Sequence, residues 1–478
     1  MTLSPAVPLP PLTRIAIVGA GGPSGLVALR QLLVAGVPAN KISAYEGRDR
    51  AGGVWNYESE PGTMHVEWRE SGPPVVRAQN EVENPGANGP SAMYDKLRTN
   101  LPNKIMNYRN TPFPKDTPIF PTHAQIATYL QEYAQDDNLS SHISFNTRVT
   151  GVYHTSGTTD PAEKWTVETE HRKQDGTTIQ SSEKVSHVVI SNGHYNEPFL
   201  PPIPGLDGWK GQLLHSRWWR NPVSQRGKNV VVVGSRASGS DIARELAIDD
   251  EDHPANPKRT IYHSVRGLKP GDTVWDDDFA WAKRINVVHE ILSVGDDGTS
   301  LHLEDGTTLS DVDTLVFATG YLYSYPFFPD NKAPWDKYPV TTALATASNG
   351  LPRAGGQDIR NLNTSDTFYE PDPTLAFIGL HYAVNPFPLG EASARLIAFS
   401  YTHDRIPPLP PLRRATDKPN DKTVGCPAEF DNQDAWLLAI GEGGVDGGGK
   451  PGGWPQSTEE TREMRANALK MRKKVLGY

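Results

Sequence analysis

Twice in this chain a short apolar strand runs through a glycine-containing turn into a helix pattern, and few folds accommodate that arrangement twice. The first copy begins with an apolar run at residues 14–18. Gly19-Ala20-Gly21-Gly22-Pro23-Ser24-Gly25 follows, then a helical pattern over residues 26–35. The next strand, residues 42–46, ends in Glu46. Glycines in such a turn let backbone N–H groups approach a pyrophosphate at a helix N-terminus. A carboxylate at the end of the second strand suits ribose hydroxyls. The turn holds one residue more than the regular Gly-x-Gly-x-x-Gly spacing, because Gly25 replaces a glycine at position 24. A glycine-rich loop can absorb that insertion.

The second copy is the valine-rich strand 229–233, then Gly234-Ser235-Arg236-Ala237-Ser238-Gly239 and a helix through residues 242–246. Arg236 stands where the middle glycine belongs, near the expected pyrophosphate path. The following strand, residues 260–264, ends without an acid and runs into Ser264-Val265-Arg266. A carboxylate there would repel a 2′-phosphate, whereas Ser264 and Arg266 would bind one. The second copy is therefore expected to hold NADPH through Gly234, Ser238, Gly239, Ser264 and Arg266. Hydride transfer needs an acceptor, which makes FAD the expected occupant of the first.

The remaining features narrow the function class. A chain of 478 residues is expected to form two or three domains. A net charge of −9 argues against a nucleic-acid or anionic-membrane partner. Cys426 is the only cysteine, which removes internal disulfides, cysteine zinc sites and the paired thiols of disulfide reductases. No metal site is read. No apolar run approaches the ~18 residues of a membrane span. The first residues have neither the basic nor the apolar region of a signal peptide. A cytoplasmic protein is expected, acting on a small-molecule substrate with molecular oxygen, and a homo-oligomer is left open.

Five further segments, in order, resemble the class B flavin-dependent monooxygenases, specifically the flavin-containing monooxygenase family. These are Gly52-Gly53-Val54-Trp55, Leu97-Arg98-Thr99-Asn100-Leu101-Pro102, Ser191-Asn192-Gly193-His194-Tyr195, Trp209-x-Gly211-x-x-x-His215-x-x-x-Trp219 and Phe317-Ala318-Thr319-Gly320-Tyr321. The resemblance runs from residue 14 to about residue 394. It implies that NADPH reduces FAD, that oxygen adds at the flavin C4a atom to give a hydroperoxide, and that a soft nitrogen or sulfur takes the distal oxygen. Asn100 is the implied catalytic residue, since an amide donates and accepts without titrating. Gly53, Val54, Trp55, Thr99, Val149, Thr319 and Gly320 are implied cofactor contacts, beside Gly19, Gly21, Gly22, Pro23, Ser24, Gly25 and Glu46. His215 is read as an orienting residue rather than a general base. Two departures stand out: Trp219 closes the signature, as in Baeyer–Villiger enzymes, and Ala394 replaces a frequent glutamine.

The expected architecture is α/β, with two Rossmann-like dinucleotide-binding domains and the NADPH domain (residues 206–330) inserted in the FAD domain. Residues 1–205 form the first part of the FAD domain. Residues 331–478 supply its second part and a tail, including a final helix started by a Ser457-x-x-Glu460 capping box. Nitrogen or sulfur oxygenation is the leading function. The alternatives are Baeyer–Villiger oxygenation of a ketone and a non-enzymatic nucleotide-binding scaffold.

Overall fold

The computed structural model describes residues 3–83, 88–269, 272, 274, 275, 278–344, 355–415, 422–444 and 453–477. The first glycine turn joins β1 (Ile15–Val18) to α1 (Pro23–Val34), and the chain returns through β2 (Ile42–Tyr45). An excursion follows that contains α2 (His123–Gln135). Its N-terminus is a capping box: the Gln125 backbone N–H donates to the Thr122 hydroxyl, and the Gln125 side chain accepts from the Thr122 N–H. Next come β3 (Ile143–Ser144) and an antiparallel meander of β4 (Thr147–His154), β5 (Trp165–Arg172) and β6 (Thr178–Val185). β7 (His187–Ile190) then pairs parallel to β1, and β8 (Glu197–Pro198) leads away.

The second glycine turn lies in a second parallel sheet. It is built from β9 (Gln212–His215), β10 (Asn229–Val233), α3 (Ala237–Asp252), β11 (Thr260–Ser264), β12 (Ile285–Val288) and β13 (Thr314–Phe317). β14 (Tyr321–Leu322) leads back and pairs antiparallel with β8, so the outgoing and returning connections run side by side. β15 (Leu375–Phe377) completes the first sheet, followed by α4 (Pro386–Thr402), α5 (Ala428–Ala439), α6 (Glu459–Ala466) and α7 (Ala468–Leu476).

The strand orders are β15-β7-β1-β2-β3 and β9-β13-β10-β11-β12, with every neighbouring pair parallel. Parallel sheets are covered on both faces, which explains why β1 and β10 are nearly pure apolar runs. Ile15 and Ile17 pack with residues of α1, α2 and α4, while Ala16 and Val18 pack with Val152, Trp165 and Val167 of the meander. Val230 and Val232 pack on Ile242 and Leu246 of α3. In each sheet the strand before the glycine turn lies between the next strand in sequence and a later one. That is the switch point where a crevice opens at the carboxyl ends of the strands.

One expectation is corrected here. Thr458, not Ser457, caps the final helical segment, its hydroxyl accepting from Thr461 N–H at 3.2 Å. Ser457 instead donates to Asp434, and the segment breaks at Asn467 into α6 and α7. Of the glycine-rich stretch at 441–453, residues 445–452 lie outside the described residues. No helix among the described residues is long and apolar enough to cross a membrane.

Candidate active site

Three of the four glycines of the first turn have a steric reason, and only Gly22, with nothing closer than 3.8 Å to an added Cβ, lacks one. Gly19 has φ +83° and lies so close to the end of β7 that a Cβ would sit 2.7 Å from the Asn192 Cα. A Cβ on Gly21 would meet the Glu46 side chain at 2.7 Å, and one on Gly25 would lie 2.1 Å from the Gly19 carbonyl oxygen. The inserted residue thus leaves the close packing of helix on strand intact. Helix α1 starts with Pro23 behind Gly22, and no side chain caps its N-terminus. Its unpaired N–H groups and positive dipole end suit a pyrophosphate, so the turn fits FAD. Glu46 is buried, and its carboxylate accepts from Gly21 N–H and Arg48 N–H, both at 2.9 Å. Burial raises its pKa. The loop carrying Val54 and Trp55 presses on the same turn: a Cβ on Gly53 would lie 2.9 Å from the Gly22 Cα. Ser24 is half-buried and lies against Gly379, where a Cβ would approach its hydroxyl to 2.6 Å. Val149 sits where β4 bulges against β5, with its side chain in the core, so only its backbone remains for a ligand.

The second turn repeats the design. Gly234 has φ +111° and would place a Cβ 2.6 Å from the Ala318 carbonyl oxygen, while a Cβ on Gly239 would lie 1.7 Å from the Gly234 oxygen. Helix α3 also lacks a side-chain cap. Arg236 occupies the N-cap position, exposed, and lies near Tyr195 and Tyr382, where burial raises both phenols and the Arg236 charge offsets part of that rise. Ser238 follows it on the first turn of α3, half-buried. The expectation for Ser264 is corrected: its side chain is buried and its hydroxyl donates to the His289 carbonyl at 2.9 Å. Arg266 is exposed. These residues fit a dinucleotide whose phosphate meets a cation beyond β11.

Between the turns, three buried histidines each hold the carbonyl of a glycine with positive φ. His215 Nε2 donates to Gly320 O at 3.0 Å, and its Nδ1 accepts from Arg217 N–H. His263 Nε2 donates to Gly234 O at 3.0 Å, and His194 Nδ1 to Gly379 O at 2.9 Å. Burial pushes His215 down to about 3 and His194 to about 4, and it lowers His263. All three are neutral at physiological pH, and His215 has neither a free nitrogen nor solvent access. It orients the connection and is no base. The remaining signature residues are structural too: Trp219 is buried and donates its indole N–H to Glu245 at 3.1 Å, and Gly211 packs against the Asp313 carbonyl. Thr319 hydrogen-bonds the Phe199 carbonyl, tying the two connections together.

Asn100 is exposed and makes no side-chain hydrogen bond among the described residues, whereas its neighbour Thr99 is buried and donates to the Leu101 carbonyl at 2.8 Å. Local patterns missed Arg217, which is buried and reaches the Pro90 carbonyl and the Asn196 side chain. They also missed the aromatic group of Tyr195, Tyr321, Tyr323 and Tyr382 around His194, assembled from three separate segments. Only the tyrosines inside the two connection motifs carried any trace of it. Ala394 is buried in the core of α4 and faces no crevice.

Glu245 offers a pH test of this region. Burial pushes its carboxyl up to about 7, and one of its oxygens has no hydrogen-bond partner among the described residues. The unfolded chain releases this proton near pH 4.5 but the folded protein holds it to about 7. Stability therefore falls as pH rises through that window and stays reduced above it. The E245Q variant is expected to melt about 2–5 °C above the parent protein at pH 8 and level with it at pH 4.5. Thermal melts at both pH values check this.

Residues 77–253 match a family model described as flavin-binding monooxygenase-like. Flavin-containing monooxygenase FMO GS-OX-like 4 of Arabidopsis thaliana is 30% identical over 396 residues, spanning 80% of this chain and 75% of that protein. The thiol-specific monooxygenase of Saccharomyces cerevisiae is 30% identical over 395 residues, spanning 80% and 76%. Among solved structures, the S-allyl-L-cysteine S-oxygenase of Allium sativum superposes with a TM-score of 0.71 at 24% identity, over 99% of this chain and 94% of that one.

Proposed function

The chain belongs to the flavin-containing monooxygenase family, and from that premise we propose that this NADPH-dependent flavoprotein oxygenates the sulfur of a small thiol or thioether. The observation that carries the reading is the pair of uncapped, glycine-packed helix N-termini joined by two adjacent connections, in a chain 30% identical to a thiol-specific monooxygenase. Bound FAD supplies the redox centre that accepts hydride from NADPH and activates oxygen.

In this reading residues 1–205 and 331–478 build the FAD domain, and residues 206–330 the NADPH domain. The N-terminus of α1, with Gly19, Gly21, Gly22, Pro23, Ser24 and Gly25, holds the FAD pyrophosphate, and Glu46 takes the ribose. Gly53, Val54, Trp55 and the Val149 backbone close the pocket. Gly234, Ser238 and Gly239 with the N-terminus of α3 hold the NADPH pyrophosphate, and Arg266 takes the 2′-phosphate. Thr319 and Gly320 bring the returning connection close to both. The Asn100 amide reaches the reacting end, where it orients by donating and accepting without exchanging a proton.

The reading is tested by supplying NADPH and oxygen with a thioether, a tertiary amine or a cyclic ketone. The expected product is the sulfoxide. A lactone from the ketone would replace this reading with Baeyer–Villiger oxygenation. The Arg266 assignment makes its own prediction: R266A should raise the KM for NADPH about 10–100-fold, the worth of one charge-assisted phosphate contact, and leave the KM for NADH unchanged. Equal losses with both coenzymes would remove Arg266 from the phosphate.

A further inference from the structure

The C-terminal helix reaches back across the chain into the site. Arg472 of α7 is buried, with 8% of its side chain exposed, and its guanidinium bridges two elements far apart in sequence. Nε donates to the Thr99 carbonyl at 3.2 Å, and one terminal nitrogen lies 3.5 Å from the Arg98 carbonyl. The two terminal nitrogens donate to the Asp241 carboxylate of α3 at 3.2 and 3.1 Å. We propose that Arg472 is a positioning residue, which fixes the backbone behind Asn100 to the helix following the second glycine turn. This rests on the role given above to Asn100.

Two observations define what the guanidinium adds to that segment. The segment is held from its other side by Leu101, buried in the core, and by the Thr99 N–H, which donates to the Pro121 carbonyl at 2.9 Å, so what Arg472 adds is the link from the Thr99 carbonyl to α3. Asp241 also keeps two other partners, Arg244 at 2.7 Å and the Tyr94 hydroxyl at 2.7 Å. Removing Arg472 thus leaves the carboxylate compensated, while the Thr99 carbonyl loses its side-chain donor. The predicted consequence is a loosened Asn100 segment on an intact α3. Misplacement by even a fraction of an ångström is costly at a reacting centre. Only an arginine fork can serve a carboxylate and two carbonyls at once, because lysine places its donors at a single point.

The test compares R472M and R472K with the parent protein and with K470M, an exposed position on the same helix. Amide hydrogen exchange is read over residues 97–102 in flavin-free and flavin-loaded protein, and hydrogen peroxide released per NADPH in the loaded enzyme. R472M should exchange at least about tenfold faster in that segment and release several-fold more peroxide, with R472K in between and K470M unchanged. Unchanged exchange and coupling in R472M, with only a lower melting temperature, would overturn the proposal. If R472M does not fold, R472K carries the same criteria. N100A separates the two claims. Uncoupling by N100A while R472M changes neither readout means the tie fails and the Asn100 role stands. Full coupling in N100A with faster exchange in R472M means the reverse.

Discussion

The G25A variant is expected to purify without flavin, its absorbance near 450 nm relative to 280 nm falling at least about tenfold. The added methyl would lie 2.1 Å from the Gly19 carbonyl oxygen and 2.5 Å from the Ala20 Cα. Both neighbours are backbone, so no rotamer change relieves the clash, and helix α1 must move away from β1. That movement widens the turn whose N–H groups are assigned to the pyrophosphate. The loss of binding is expected to exceed the loss of stability, because α1 is also held by core contacts through Leu26, Leu29 and Leu32. G208A is the control, since an added methyl there meets nothing within 4 Å. A G25A protein with stoichiometric flavin would sink the assignment of the first turn.

The G239A variant should part the two cofactors. Its methyl would lie 1.7 Å from the Gly234 carbonyl oxygen, and that oxygen already accepts from His263 Nε2 at 3.0 Å. The start of α3 is therefore displaced, while the first sheet and its turn lie outside the affected contacts. The protein should remain yellow and be reduced normally by dithionite. Its anaerobic reduction by NADPH should slow at least about 100-fold, followed as bleaching of the flavin band. The opposite pattern, with flavin lost from G239A and NADPH reduction lost from G25A, would exchange the assignments of the two turns.

How much of the site was legible follows from the range of the forces involved. Strand, glycine turn, helix and terminal acid are set by backbone sterics and apolar periodicity over some 30 residues, and β1, α1, β2 and Glu46 all lie close to their expected places. The Ser264 hydroxyl was misjudged because the carbonyl that accepts its hydrogen bond belongs to His289, 25 residues on and just past the end of the neighbouring strand β12. The Ser457 cap failed over a single residue: the hydroxyl that would have capped the helix is drawn to Asp434 on α5, and Thr458 replaces it. His215 was singled out by its motif, yet its tautomer comes from the Gly320 carbonyl 105 residues away and its neutrality from burial.

The residues alone determined that this chain builds two dinucleotide-binding folds and that no thiol pair drives its chemistry. Glycine placement, apolar runs and cysteine count are properties of composition and short segments, and physical chemistry acts on them before any tertiary contact forms. Tertiary structure alone decided the three histidine-held glycine carbonyls, the burial of Ser264 and the reach of Arg472 to Thr99 across 373 residues. Those contacts depend on which surfaces meet after the sheets have formed, and no local pattern encodes the direction in which a buried donor will point.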